Sequence, residues 1–216
     1  MSELSLRQQL VDTSVKLVKL GLNRGTSGNV SIRLNGGFLV TPSGMPAGKM
    51  SSIDMVEMDF SGQVIGAGKP SSEWRFHRDI LAARDDVNAI IHVHSMYATT
   101  LACVHKDIPP FHYMISVAGG DTIRCAPYAL FGSQVLSDNA LAALDDRNAC
   151  LLANHGMIVL GRNIDHALSI AVEVEMLCEQ YCHALKLGNP VLLTPKQMQE
   201  VHEQLKGYGN WEQNKK

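Results

Sequence analysis

Between Val30 and Leu34 the chain alternates apolar and polar positions, with Val30, Ile32 and Leu34 set against Ser31 and Arg33. A period of two places the apolar set on one face of an extended strand. Asn35-Gly36 follows, a pair suited to the left-handed backbone of a tight hairpin turn, and Phe38 to Val40 supplies the return strand. Met55 to Phe60 and Gln63 to Ile65 predict two further short strands around Ser61-Gly62. Asn88 to His94 is rich in β-branched residues and reads as a buried strand. Cys150 to Ala153 and Met157 to Leu160 are apolar strand runs on either side of Asn154-His155-Gly156.

Elsewhere the period lengthens to that of a helix. MSELSLRQQLVDTSVKL predicts an amphipathic helix running to about Leu20, with Ser5 and Gln8 as a capping box and Gly21 as its stop. Further helices are predicted from Glu73 to about Arg84, over Ser95 to Val104, over Ser137 to Leu144, and over Ile164 to Leu187, the longest. Thr194-Pro195 opens the last one, with proline at its first position. Tyr113 to Arg124, which contains Gly119-Gly120, fits neither period. Helices and short strands mix without a regular βαβ repeat, and no linker or internal repeat interrupts them. The pattern predicts one α/β domain over 1–216, with a mostly antiparallel central sheet covered by helices.

Composition narrows the function. A chain of 216 residues suffices for one domain with a substantial core. Its net charge is -2 and it carries no basic block, so neither nucleic acid nor an anionic membrane is an expected partner. A phosphate site would have to rely mainly on backbone amides and hydroxyls. No apolar run approaches the ~20 residues of a membrane span, and the N-terminus lacks the apolar core of a signal peptide. Five scattered cysteines, an odd number, fit reduced core thiols, and the expected location is cytoplasmic. Cys178 and Cys182 stand four apart on a helix, but no second thiol pair is near, so packing is their expected role.

His92-Val93-His94 is the sharpest local signal. Residues i and i+2 of a strand point the same way, so both imidazoles can reach one ion. An isolated pair of this kind is more often just the polar end of a strand; further donors change the balance. His155 ends the apolar run CLLA and precedes Gly156, where the backbone can turn close to a ligand; alone it would be a capping histidine. Glu73 lies in the first turn of a helix, where the dipole favours a carboxylate; alone it would be a capping glutamate. Three neutral imidazoles and a carboxylate suit Zn²⁺ or a similar ion better than Mg²⁺ or Ca²⁺. Spacing does not reveal whether the four converge. His77, four residues after Glu73, is equally consistent with a neighbour of the site and with a helix-surface residue.

Three clusters have the chemistry of an anion cradle: Gly25-Thr26-Ser27-Gly28-Asn29, Thr41-Pro42-Ser43-Gly44, and Ser71-Ser72 at a helix start. Each alone is ordinary turn material. No P-loop or dinucleotide fingerprint is present.

These stretches also resemble the class II aldolase/adducin family over nearly the whole chain. The likeness is carried by GLNRGTSGNVS (21–31), LVTPSGM (39–45), KPSSEWRFH (69–77), HVHS (92–95), IPPFHYMISVAGGDTIRCAPYALFG (108–132) and ANHG (153–156). The resemblance implies one zinc per subunit, held by Glu73, His92, His94 and His155. It implies phosphate contacts from Gly28, Asn29, Ser43, Gly44, Ser71 and Ser72. It further implies a cyclic homotetramer with active sites between subunits, where Tyr113 serves a neighbour's site, Phe131 lines the aldehyde end and Tyr208 matches a C-terminal tyrosine.

The implied activity is reversible cleavage of L-fuculose 1-phosphate to dihydroxyacetone phosphate and L-lactaldehyde, through a metal-stabilised enediolate with Glu73 as base and Tyr113 as acid. Asp121 stands where the fuculose pattern has asparagine. That leaves room for an aldolase acting on 5-deoxyribulose or methylthioribulose 1-phosphate, and for an L-ribulose-5-phosphate 4-epimerase. A non-catalytic adducin-like module would require a degraded metal set. No lysine sits in an apolar context fit for Schiff-base chemistry.

Overall fold

Backbone amides and carbonyls must be paired wherever the chain is buried, and here a central sheet and the helices packed on it share that pairing. The protein's structure, a computed structural model, describes residues 2–206. Its strands are β1 (Asn29–Leu34), β2 (Gly37–Val40), β3 (Val56–Asp59), β4 (Val64–Ile65), β5 (Ala89–Val93), β6 (Arg124–Ala126), β7 (Ala149–Leu152) and β8 (Gly156–Gly161). They form an eight-stranded sheet in the order β4-β3-β2-β1-β5-β8-β7-β6. Every pairing is antiparallel except β6 with β7. The β1–β2 hairpin turns at Asn35-Gly36, as its sequence predicts, with Leu34 opposite Gly37.

Among the described residues, six α-helices cover both faces: α1 (Glu3–Lys19), α2 (Trp74–Ala83), α3 (Met96–Cys103), α4 (Gln134–Ala143), α5 (Ile164–Leu187) and α6 (Pro195–Leu205). One face presents Val30, Ile32, Ile91, Val93, Leu151 and Val159 to α1, α3 and α5. The other presents Phe38, Val40, Ile90, Leu152, Ile158 and Leu160 to α2 and α4. Because side chains alternate, Asn29, Ser31 and His92 fall on the second face, beneath α2. Asn29 pairs directly with His92 across β1 and β5.

Two local expectations are corrected and one ambiguity is resolved. Ser2, not Ser5, caps α1: the Ser2 hydroxyl accepts from the Ser5 amide at 3.3 Å, so Ser5 already lies inside the first turn. Ser133 caps α4 by accepting from the Leu136 amide, so that helix begins three residues before Ser137. The ambiguous stretch becomes a 3-10 helix over Tyr113–Ala118, closed by Gly119 at φ 90° and followed by β6. Among the described residues, no helix is long and apolar enough to cross a membrane.

Candidate metal centre

The centre forms where β5, the loop after β7 and the start of α2 meet. His92 and His94 project from the end of the central strand β5. His155 arrives on the tight β7–β8 turn, where Asn154 takes φ 54°. Gly156 makes this turn feasible: a Cβ there would sit 2.4 Å from the Val93 carbonyl and 3.0 Å from the His94 ring. Glu73 occupies the N-cap position of α2, but its side chain makes no cap hydrogen bond. The capping explanation for this carboxylate therefore fails, and its oxygens turn toward the histidines.

The donor atoms of Glu73, His92, His94 and His155 all lie within 4.8 Å of one another. The three imidazole centroids are 4.8, 4.8 and 4.9 Å apart, with rings nearly perpendicular in pairs. Glu73 Oε2 is 3.3 Å from His92 Nε2, and Oε1 is 3.2 Å from His155 Nε2. His92 Nδ1–H donates to the Met157 carbonyl at 2.9 Å, which fixes the tautomer and leaves Nε2 as a lone pair aimed at the cluster. The Nε2 atoms of His92 and His94 face each other at 2.9 Å. Glu73 Oε1 is buried without a hydrogen-bond partner. Converging lone pairs and an orphaned buried oxygen are the arrangement a divalent cation satisfies, so the donor set fits a metal.

Electrostatics agree. Burial works against the Glu73 charge, but the His92 and His155 rings outweigh it and hold the carboxyl well below the usual range. Burial and the neighbouring His92 and His155 push His94 down to about 3, so it remains a neutral donor. His77 is fully buried, which excludes the surface alternative, and burial pushes it down to about 3.

A cavity of about 300 Å³ opens beside the four donors. It brings together Gly28, Asn29, Ser43, Gly44, Ser71 and Ser72 with Glu73, His94, His155 and Phe131. His92 lies beneath this wall, fully buried. The anion cradle uses fewer amides than its composition implies. The Ser43 and Ser71 amides already donate to the Lys69 and Thr41 carbonyls, so their hydroxyls are what remains for a ligand. Ser71 Oγ accepts from the Glu73 amide at 3.3 Å, tying the cradle to the metal carboxylate.

Tyr113 does not line this cavity and is 49% exposed. Asp121 accepts from His202 of α6 at 2.7 Å and likewise does not line it. Tyr208 lies outside the described residues.

Sequence reasoning missed Asn23, whose side chain accepts from the His94 amide at 3.1 Å and packs against Gly28. Gly28, at φ 78°, has no room for a Cβ beside it. Tyr128 and Asn154 at the cavity wall were missed as well. All three lie inside the stretches that carry the family resemblance, which was the signal available for them.

Comparison with known proteins identifies the family. The family described as "Class II Aldolase and Adducin N-terminal domain" matches residues 8–182. The chain is 49% identical, over 97% of its length and 95% of the relative's, to a 5-methylthioribulose-1-phosphate/5-deoxyribulose-1-phosphate aldolase of Rhodospirillum rubrum. It is 42% identical, over 94% of its length and 95% of the relative's, to an L-fuculose phosphate aldolase of Escherichia coli. A solved L-fuculose 1-phosphate aldolase superposes with a TM-score of 0.91 at 40% identity, covering 94% of this chain and 96% of that one. Because the family match, the relatives and the superposition each span most of the chain, it belongs to the class II aldolase and adducin N-terminal domain family, and within that family it is an aldolase, a lyase.

Proposed function

We propose that the protein is a zinc-dependent aldolase that cleaves a terminally deoxygenated ketose 1-phosphate into dihydroxyacetone phosphate and a short aldehyde. The observation that carries this reading is one cavity holding both the Glu73/His94/His155 donors and the hydroxyl- and glycine-rich cradle. Three neutral imidazoles with one carboxylate favour Zn²⁺ among common divalent ions. When bound by Glu73, His92, His94 and His155, the ion supplies a Lewis acid beside the carbonyl of the three-carbon half.

The remaining roles belong to the chain. Ser71 and Ser72 precede the N-terminus of α2, whose dipole favours the substrate phosphate, and Gly28, Asn29, Ser43 and Gly44 complete its cradle. In the condensation direction, Glu73 removes a proton from C3 of dihydroxyacetone phosphate. Tyr113 of a neighbouring subunit then gives a proton to the aldehyde oxygen as the carbon–carbon bond forms. In cleavage both transfers reverse. The exposure of Tyr113 outside its own cavity supports a site shared between copies in a homotetramer.

Three substrates, a pentulose pair and a deoxyhexulose, share this chemistry and differ only in the aldehyde released. The pentulose pair, 5-deoxyribulose and 5-methylthioribulose 1-phosphate, is placed first because the relative at 49% identity acts on it. L-fuculose 1-phosphate, placed first by the sequence motifs, stands second on the relatives at 42%. Tyr128, Ala129 and Phe131 form a largely apolar wall that suits either terminal group. The pairing of Asp121 with His202 gives that residue a structural task, which weakens the epimerase alternative. Turnover of both pentulose phosphates, L-fuculose and L-rhamnulose 1-phosphates and L-ribulose 5-phosphate decides the matter. The reading expects dihydroxyacetone phosphate and aldehyde from the first three, with the highest kcat/KM on a pentulose. A higher kcat/KM on fuculose would reverse the ranking, and epimerised product without aldehyde would overturn the aldolase.

A further inference from the structure

Behind Glu73 runs a buried polar chain, of which the chemistry above uses neither Ser31 nor His77. Ser31 and His77 are fully buried and Asn29 is 5% exposed. Ser31 Oγ lies 2.7 Å from His77 Nδ1, His77 Nε2 lies 2.5 Å from Asn29 Oδ1, and Asn29 Nδ2 donates to Glu73 Oε2 at 2.9 Å. The direction of every bond follows from the Glu73 end. A carboxylate only accepts, so Asn29 must offer its NH₂ group there and turn its oxygen to His77. That oxygen must accept from Nε2–H. Nδ1 is then a bare lone pair, and the Ser31 hydroxyl donates to it.

We propose that His77 is a positioning residue: its Nε2–H, set by Ser31, locks the Asn29 amide so that Glu73 Oε2 is pinned and Oε1 is the uncommitted oxygen. This rests on reading Glu73 as metal ligand and base. Two observations carry it. Oε1 is the buried oxygen without a hydrogen-bond partner, whereas Oε2 is held by Asn29. The fold also devotes three buried polar side chains to that one hydrogen bond, and a buried polar network holds its members rigidly where they are hydrogen-bonded to one another. An apolar side chain at position 77 would leave Asn29 Oδ1 unpaired and free the amide to flip, setting oxygen against carboxylate.

His77→Leu removes the donor at similar volume, while His77→Gln keeps an amide donor for Asn29. Zinc affinity, measured by competition with a chromogenic chelator, is expected to fall about tenfold to a hundredfold in His77→Leu. His77→Gln is expected to recover most of the loss. In the zinc-free wild type, ¹⁵N NMR is expected to find His77 as the Nε2–H tautomer. An Nδ1–H tautomer would overturn the proposal. So would a folded His77→Leu protein with wild-type zinc affinity, or a His77→Gln protein as weak as His77→Leu at equal thermal stability. A wild type that binds no zinc would instead sink the metal reading, and the tautomer would still decide the relay. If His77→Leu fails to fold, the tautomer and His77→Gln carry the decision.

Discussion

At the scale of single residues, the proposed mechanism gives Glu73 two tasks that pull in opposite directions. As a ligand it must stay charged, and His92 and His155 ensure that it does. As a base it must accept a proton during turnover, so Oε1, which has no hydrogen-bond partner of its own, must give up the ion when substrate binds. Glu73→Gln preserves the shape and removes both capacities. Exchange of the C3 proton of dihydroxyacetone phosphate with solvent deuterium is expected to fall by about 10²–10⁴-fold. Exchange at a near wild-type rate in that variant would remove Glu73 from the role.

The buried imidazoles also set a pH dependence. His77 is pushed to about 3 from an ordinary 6.5, so the folded protein keeps it neutral where the unfolded chain binds a proton. Stability is therefore lost as pH falls from about 6.5 toward 3. The lowered Glu73 adds to this, because its contribution is present above the ordinary 4.5 and is lost on further acidification. The melting temperature of zinc-free protein is expected to drop across this range, with a shallower drop in His77→Gln. Identical slopes for the two proteins would show that His77 does not titrate as argued.

At the scale of elements, most of the framework was legible, and the reasons differ by element. The β1–β2 hairpin declared itself through alternation and Asn35-Gly36, and α5 through its length and period. The start of α1 was misread because Ser2 and Ser5 are equally good caps locally, and only the chain path chooses between them. Tyr113 to Arg124 was illegible because a 3-10 turn and a three-residue strand carry too few residues to establish a period. The burial of His77 could not be read from α2 alone, since it depends on β1 placing Asn29 and Ser31 beneath that helix. The metal donors were identifiable as residue types, but their convergence depends on β5 lying beside β8 in the sheet. Gly156 tests that adjacency. Gly156→Ala would press a methyl group into the Val93 carbonyl and the His94 ring, costing about 1–3 kcal/mol in urea unfolding. It should weaken zinc binding as well, and unchanged stability would mean that the two strands are free to part.

At the scale of the whole molecule, the cavity of one chain holds donors and cradle but not Tyr113. If that tyrosine works in a neighbour's site, Tyr113→Phe should retain proton exchange on dihydroxyacetone phosphate and lose condensation with aldehyde. Glu73→Gln and Tyr113→Phe subunits, mixed equally and reassembled, should then complement. With random order in a closed ring, about a quarter of the sites would have both residues intact. Native mass spectrometry showing hybrid rings with no recovered activity would contradict the shared site.

The central claim is that Glu73, His92, His94 and His155 hold the ion on which cleavage depends. Its most direct test is cleavage of 5-deoxyribulose and L-fuculose 1-phosphates by one protein sample, before and after metal removal, with elemental analysis at each stage. The account expects about one zinc per chain, loss of dihydroxyacetone phosphate formation with the metal, and recovery when zinc is returned. Full cleavage by protein containing no transition metal would contradict it.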